Sequence, residues 1–133
     1  MDWTIDATRK EILNDKTRYK ILSCGRRWGK SYFSILFLLS KPFKANERRW
    51  IVFPTYRQAK MVSWSILKDI FAKKEVSINE TELSITLNNG AKIELKGADK
   101  PDSLRGVSTT MVVMDEYSYM KENVWGEIIQ PTL

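Results

Sequence analysis

Apolar residues recur along this chain with two periods, and the alternation between those periods lays out the fold before any motif is considered. Asp6 to Asn14 reads as a short amphipathic helix capped by Asp6, and Tyr19 to Ser23 is an apolar-rich run consistent with a strand. Ser31 to Ser40 predicts a largely buried helix, and Trp50 to Phe53 a short buried strand closed by Pro54. From Tyr56 to Lys73 the apolar residues Ala59, Val62, Ile66, Leu67, Ile70 and Phe71 fall at helical spacing. Leu83 to Leu87 and Ala91 to Leu95 alternate apolar and polar positions around Asn88-Asn89-Gly90, which predicts a hairpin, expected at an edge of the fold. Thr110 to Met114 is a continuous apolar run ending in Asp115-Glu116, as a central parallel strand would be, and Glu122 to Gln130 predicts a last helix stopped by Pro131. Strands alternating with helices predict an α/β sheet whose ligand sits at the carboxyl ends of its strands.

Composition narrows the chemistry. At 133 residues with 43% hydrophobic and 29% charged residues, the chain suits one domain with a real core, which excludes disorder as its main state. Neither repeats nor low-complexity tracts interrupt it. Cys24 is the single cysteine and histidine is absent, so an internal disulfide, a His-based dyad and a zinc-hydrolase site lack their residues. The start Met1-Asp2-Trp3-Thr4 does not read as a signal peptide, and Tyr32 to Leu39 falls far short of the roughly 20 residues of a membrane span. The expectation is a soluble, reduced, intracellular protein. A net charge of +6 favours an anionic partner, but the basic residues, Arg48 and Arg49 among them, are scattered as on a solvated surface.

Two short motifs carry candidate chemistry. Cys24-Gly25-Arg26-Arg27-Trp28-Gly29-Lys30-Ser31 lies where a predicted strand gives way to a predicted helix. In that setting Gly25 and Gly29 let backbone N–H groups approach phosphate oxygens, Lys30 reaches the β- and γ-phosphates, and the Ser31 hydroxyl faces a bridging magnesium ion. The usual first glycine is replaced by Cys24, with Gly25 one step late, so a basic helix N-terminus with a turn glycine stands beside the phosphate-loop reading. Arg26 and Arg27 either contact the γ-phosphate or are solvated, and Trp28 reads as a packing residue. Met111 to Met114 then delivers Asp115 to a strand end, a magnesium position, and Glu116 to a water-polarising one; the alternative is a core strand ending in solvated acids. The two motifs, in this order, reinforce each other as a nucleotide site.

The ensemble resembles the ATPase domain of the large terminase subunit of tailed bacteriophages. The resemblance rests on the loop 24–31, on Phe53-Pro54-Thr55-Tyr56-Arg57-Gln58-Ala59-Lys60 with Trp64, on Asn89-Gly90, on Ser103-Leu104-Arg105-Gly106, and on Met111 to Glu116 as Walker B plus glutamate. It implies a P-loop NTPase fold of the RecA-like (ASCE) kind: a mostly parallel sheet flanked by helices, with a hairpin insertion and incomplete at its C-terminus. It implies ATP and Mg2+ as ligands, bound by the loop Gly25, Arg26, Arg27, Trp28, Gly29, Lys30 and Ser31, with Ser31 and Asp115 at the metal. Glu116 is then the catalytic glutamate, and Arg26 the loop arginine that senses or triggers hydrolysis. Arg105-Gly106 matches a feature ahead of Walker B, with loop shaping and contact to a neighbouring subunit's ATP both open. Implied partners are double-stranded DNA, the small terminase subunit, the portal protein and further copies in a ring, in the cytoplasm of an infected bacterium and transiently at the procapsid portal. Ala7 to Glu11 holds no glutamine to read adenine, and the coupling motif and nuclease domain are expected beyond Leu133, so residues 1–133 are expected to be the N-terminal part of the ATPase domain. A helicase-like ATPase and a fragment that binds nucleotide without turnover are the alternatives.

Overall fold

The computed structural model describes residues 30–116, 120–121 and 123–133. The helix expected at 6–14, the strand at 19–23 and the loop 24–29 lie outside the described residues. Among the described residues five strands form one sheet: β1 (Arg48–Phe53), β2 (Ser77–Asn79), β3 (Ser84–Thr86), β4 (Lys92–Gly97) and β5 (Met111–Met114), in the order β2-β3-β4-β1-β5. β1 runs parallel to both neighbours, with Trp50 beside Glu94 and Val112, while β3 is antiparallel to β4 and to β2.

Continuous burial from Arg49 to Phe53 follows from this position, because a parallel strand covered on both faces is dry along its length. On one face Ile51, Phe53, Ile93 and Leu95 pack against Ile35 and Leu38 of α1 (Lys30–Leu39). The same core takes Ala59, Trp64 and Leu67 from a helical run made of α2 (Tyr56–Ala59), a π-helical stretch (Lys60–Trp64) and α3 (Ser65–Ile70). On the other face Trp50 and Val52 meet Leu104, Val124, Ile128 and Ile129. Each such side chain contributes roughly 1.5–3 kcal/mol by leaving water. Among the described residues no helix is long and apolar enough to cross a membrane.

The hairpin forms with Ser84 opposite Glu94 and Ile85 opposite Ile93. Its turn is held by Asn89 Oδ1, which accepts the Ala91 amide at 3.0 Å, and by Gly90 at φ 87°. The torsion favours glycine, and a β-carbon on Gly90 would lie 2.1 Å from Asn46 Oδ1, so that side chain would have to move. Among the described residues the hairpin is not itself the edge, however: β4 lies inside the sheet, with Ile93 and Leu95 buried, and beyond β3 stands β2, whose three residues are all exposed. β5 is parallel as expected, but among the described residues it has one neighbour and the centre belongs to β4 and β1.

Two helix ends differ from expectation. The run from Tyr56 stops at Ile70, not Lys73, and its start is fixed by Thr55, whose Oγ1 accepts the Gln58 amide at 3.1 Å. Val124–Ile129 is π-helical and continues as a 3-10 turn over Gln130–Thr132, so Pro131 does not end the helical run. It sits in the first turn of a new segment, where a missing N–H leaves no hydrogen bond unmade.

Arg48 and Arg49 also differ from the solvated pair the sequence indicates. Arg49 is 3% exposed, and Arg48 Nη1 donates to Glu94 Oε1 at 2.8 Å. Glu94 also accepts the Trp50 indole N–H at 3.2 Å and pairs with Lys96 at 3.2 Å. Burial alone would push the Glu94 carboxyl up; Lys96, the Trp50 indole and Arg48 outweigh it and hold the carboxyl below its ordinary value.

Candidate active site at the carboxyl ends of the parallel strands

β1, β4 and β5 point their carboxyl ends the same way. β5 ends at Met114 and Asp115 follows, 4% exposed, its amide donating to the Val52 carbonyl at 2.9 Å. That bond extends the ladder by one step and fixes a carboxylate at the rim of the sheet. Glu116 then adopts φ 57°, a left-handed conformation rare for a residue with a side chain. The strand's alternation is broken between the two acids, so they need not face opposite sides of the sheet as successive strand residues would.

The neighbouring loops are tied together. The Phe53 carbonyl accepts the Ala98 amide at 2.8 Å, and Asp99 Oδ1 accepts the Tyr56 amide at 2.9 Å, so the segments following β1 and β4 move as one. Lys100 Nζ sits 4.3 Å from the centroid of the Tyr56 ring, and the Tyr56 hydroxyl donates to the Thr81 carbonyl at 2.6 Å. Gly97 is required here, because a β-carbon would stand 2.1 Å from the Tyr56 amide nitrogen.

α1 opens at Lys30 and Ser31, where the sequence places the end of a phosphate loop, and packs through Ile35 and Leu38 on the sheet that carries Asp115. Its first turn holds no acidic residue, so the helix itself carries no carboxylate at the positive end of its dipole. Gly25, Arg26, Arg27, Trp28 and Gly29 lie outside the described residues. Arg105 is exposed after the 3-10 turn Pro101–Leu104, and Gly106 turns the chain at φ 78°. Arg105 borders a shallow depression of about 340 Å³ with Glu127, Ile128 and Thr132. A second depression, about 380 Å³, lies by Phe71, Leu87 and Asn89 at the amino end of β4, opposite the end that bears Asp115.

Sequence reasoning located both acids and the helix start. It missed the buried charges Arg49 and Glu94, whose signal was only an arginine pair entering a strand and a glutamate inside one.

The same fold is found in solved terminase ATPase domains. The chain aligns with the large terminase ATPase domain of Thermus phage P74-26 at TM-score 0.75 and 25% identity, over 98% of this chain and 61% of that domain. A large terminase of the thermophilic bacteriophage D6E shares the fold at TM-score 0.58 and 17% identity, over 76% of this chain and 27% of that one. Residues 21–129 match the family model "Terminase large subunit, T4likevirus-type, N-terminal", and the chain belongs to that family. The terminase large subunit of Thermus phage G20c is 29% identical over 92% of this chain, and the PBSX phage terminase large subunit of Bacillus subtilis is 25% identical over 89%. The chain spans 30% and 28% of their lengths, less than a third of either.

Proposed function

We propose that this chain is the N-terminal part of the ATPase module of a phage DNA-packaging motor, binding and hydrolysing ATP to drive double-stranded DNA into a capsid. The observation that carries the reading is the buried Asp115 at the carboxyl rim of β5, on the same sheet as the helix that opens with Lys30 and Ser31. In this reading the loop Gly25 to Gly29 cradles phosphates with its amides, Lys30 neutralises the β- and γ-phosphates, and Arg26 senses the γ-phosphate. Glu116 orients and deprotonates the attacking water, with its backbone held out of strand geometry for that task.

The donor set suits magnesium. Among the described residues no three His, Cys, Asp or Glu side chains gather as a metal cage, and one strand-end carboxylate with the Ser31 hydroxyl is what a hard cation sharing its shell with phosphates and waters requires. Bound there, Mg2+ would supply charge neutralisation on the phosphates. The small terminase subunit, the portal and a ring of copies belong to the same proposal, as do the host cytoplasm and the procapsid as its setting. Family membership favours this reading over a helicase-like ATPase.

Thermal unfolding with and without Mg2+ and a non-hydrolysable ATP analogue tests it, with Lys30→Ala as control. Ligand at 100 times its Kd is expected to stabilise the wild type by about 2.7 kcal/mol and the variant by much less. An unchanged melting temperature in the wild type would deny this chain a formed nucleotide site.

A further inference from the structure

We infer that Arg49 is a positioning residue for the phosphate site: from β1 it sets the axial position of α1, and so the place of Lys30 and Ser31 relative to Asp115. The inference rests on the reading of Lys30 and Ser31 as phosphate and metal ligands.

Arg49 is an unusual group for the inside of a sheet. Its Nη1 donates to the carbonyls of Leu38 at 2.6 Å and Lys41 at 2.9 Å, and its Nη2 to the carbonyl of Pro42 at 2.8 Å. Its Nε lies 2.6 Å from Glu47 Oε1, and its guanidinium carbon stacks 3.8 Å from the centroid of the Phe43 ring. The guanidinium therefore fills the carboxyl end of α1, whose own last turn holds no basic residue. One carbonyl of the helix's last turn, that of Leu38, and two of the segment just beyond it, those of Lys41 and Pro42, are thus satisfied by an arginine from another element, whose charge opposes the negative end of the dipole.

α1 also packs on the sheet through apolar residues such as Ile35 and Leu38. Such packing is non-directional and resists sliding along the helix axis weakly, whereas the charge-assisted hydrogen bonds from Arg49 to the Leu38 carbonyl and to the segment that leaves the helix have a narrow geometry. Leu38 lies eight residues from Lys30, so at about 1.5 Å per residue a shift at one end of this stiff helix reappears about 12 Å away at the other. β1 is also the strand whose Val52 carbonyl holds the Asp115 amide. One strand thus grips the phosphate helix near its start, through Arg49, and the acid near its end, through Val52.

The test measures Mg2+-dependent binding of a non-hydrolysable ATP analogue to the 133-residue chain, well below the melting temperature, for wild type, Arg49→Met, Arg49→Lys and Lys30→Ala. A displaced helix is expected to weaken binding about tenfold or more in folded Arg49→Met, with partial recovery in Arg49→Lys, which restores the charge and one hydrogen bond. A melting temperature that falls while Kd stays at the wild-type value would reduce Arg49 to a purely structural role and overturn the inference. If Arg49→Met does not fold, Arg49→Lys decides by the same criterion: weaker binding supports positioning and unchanged binding defeats it. Binding lost in Lys30→Ala but kept in both Arg49 variants refutes this inference alone. No binding by the wild type, or none lost in Lys30→Ala, removes the nucleotide reading and this inference with it.

Discussion

Glu116 sits at φ 57° two residues past the end of β5, and that torsion has a measurable consequence. A left-handed conformation costs a residue with a β-carbon roughly 1–2 kcal/mol, and glycine close to nothing. Comparing Glu116→Ala with Glu116→Gly isolates the backbone, because both substitutions remove the carboxylate and its contacts. The glycine variant is expected to be more stable than the alanine variant by about 1 kcal/mol in urea unfolding, the reverse of the usual order inside regular structure. Equal stabilities would mean that the backbone relaxes and that no strain is held at this residue. Hydrolysis is expected to be lost in both, so stability and activity would part at one position, as they do where a site keeps a strained residue for its task. The sequence shows the acid and its place at a strand end; it does not show the torsion, because glutamate has no preference for the left-handed region and the surrounding fold imposes it.

Between elements, the pairing of β1 with β4 carries a second consequence. Arg48, Trp50 and Lys96 converge on Glu94, a carboxylate only 3% exposed, and hold it below its ordinary range. A carboxyl depressed in the folded state adds stability above its unfolded pKa of about 4.3, and that stability is lost as pH falls through the folded value. Urea unfolding of the wild type is therefore expected to show this contribution in full at pH 7 and losing it below about pH 4.5. Glu94→Gln should be less stable by about 2 kcal/mol at pH 7, with the gap closing in acid. A gap independent of pH would assign the loss to packing and not to charge. This network explains why the element pattern was only partly legible. The alternation around Asn89-Gly90 specifies a hairpin, but which strand accepts its second arm depends on contacts far apart in sequence, such as Trp50 beside Glu94. β2 gave no signal because Ser77-Ile78-Asn79 has a single apolar residue, so no period can be read from it.

Across the molecule, alternating strands and helices were legible because buried parallel strands must be apolar on both faces, and the two candidate acids followed from where such a strand ends. Sheet order was not, since it is fixed by which apolar faces meet. Charge belongs to this scale as well. The chain carries +6, and Arg57, Lys60, Lys73, Lys74, Lys100 and Arg105 are exposed while Arg49 is spent inside the fold. Cations dispersed in this way among the described residues suit phosphate neutralisation, so the duplex affinity that they supply should be weak, indifferent to sequence and governed by counterion release. Fluorescence anisotropy with two duplexes of unrelated sequence is expected to give equal affinities, with Kd in the range of about 10⁻⁴–10⁻⁶ M. Log affinity should fall linearly with log salt at a slope of about −0.9 per phosphate neutralised. Binding that barely responds between 50 and 200 mM salt, on the order of the range where such contacts lose most affinity, would mean that the exposed cations do not meet the DNA backbone. A slope equivalent to three or more phosphates, unchanged in Lys30→Ala, would place the DNA contacts away from the proposed nucleotide site, as the proposed motor role requires if fuel and track are to be held at once.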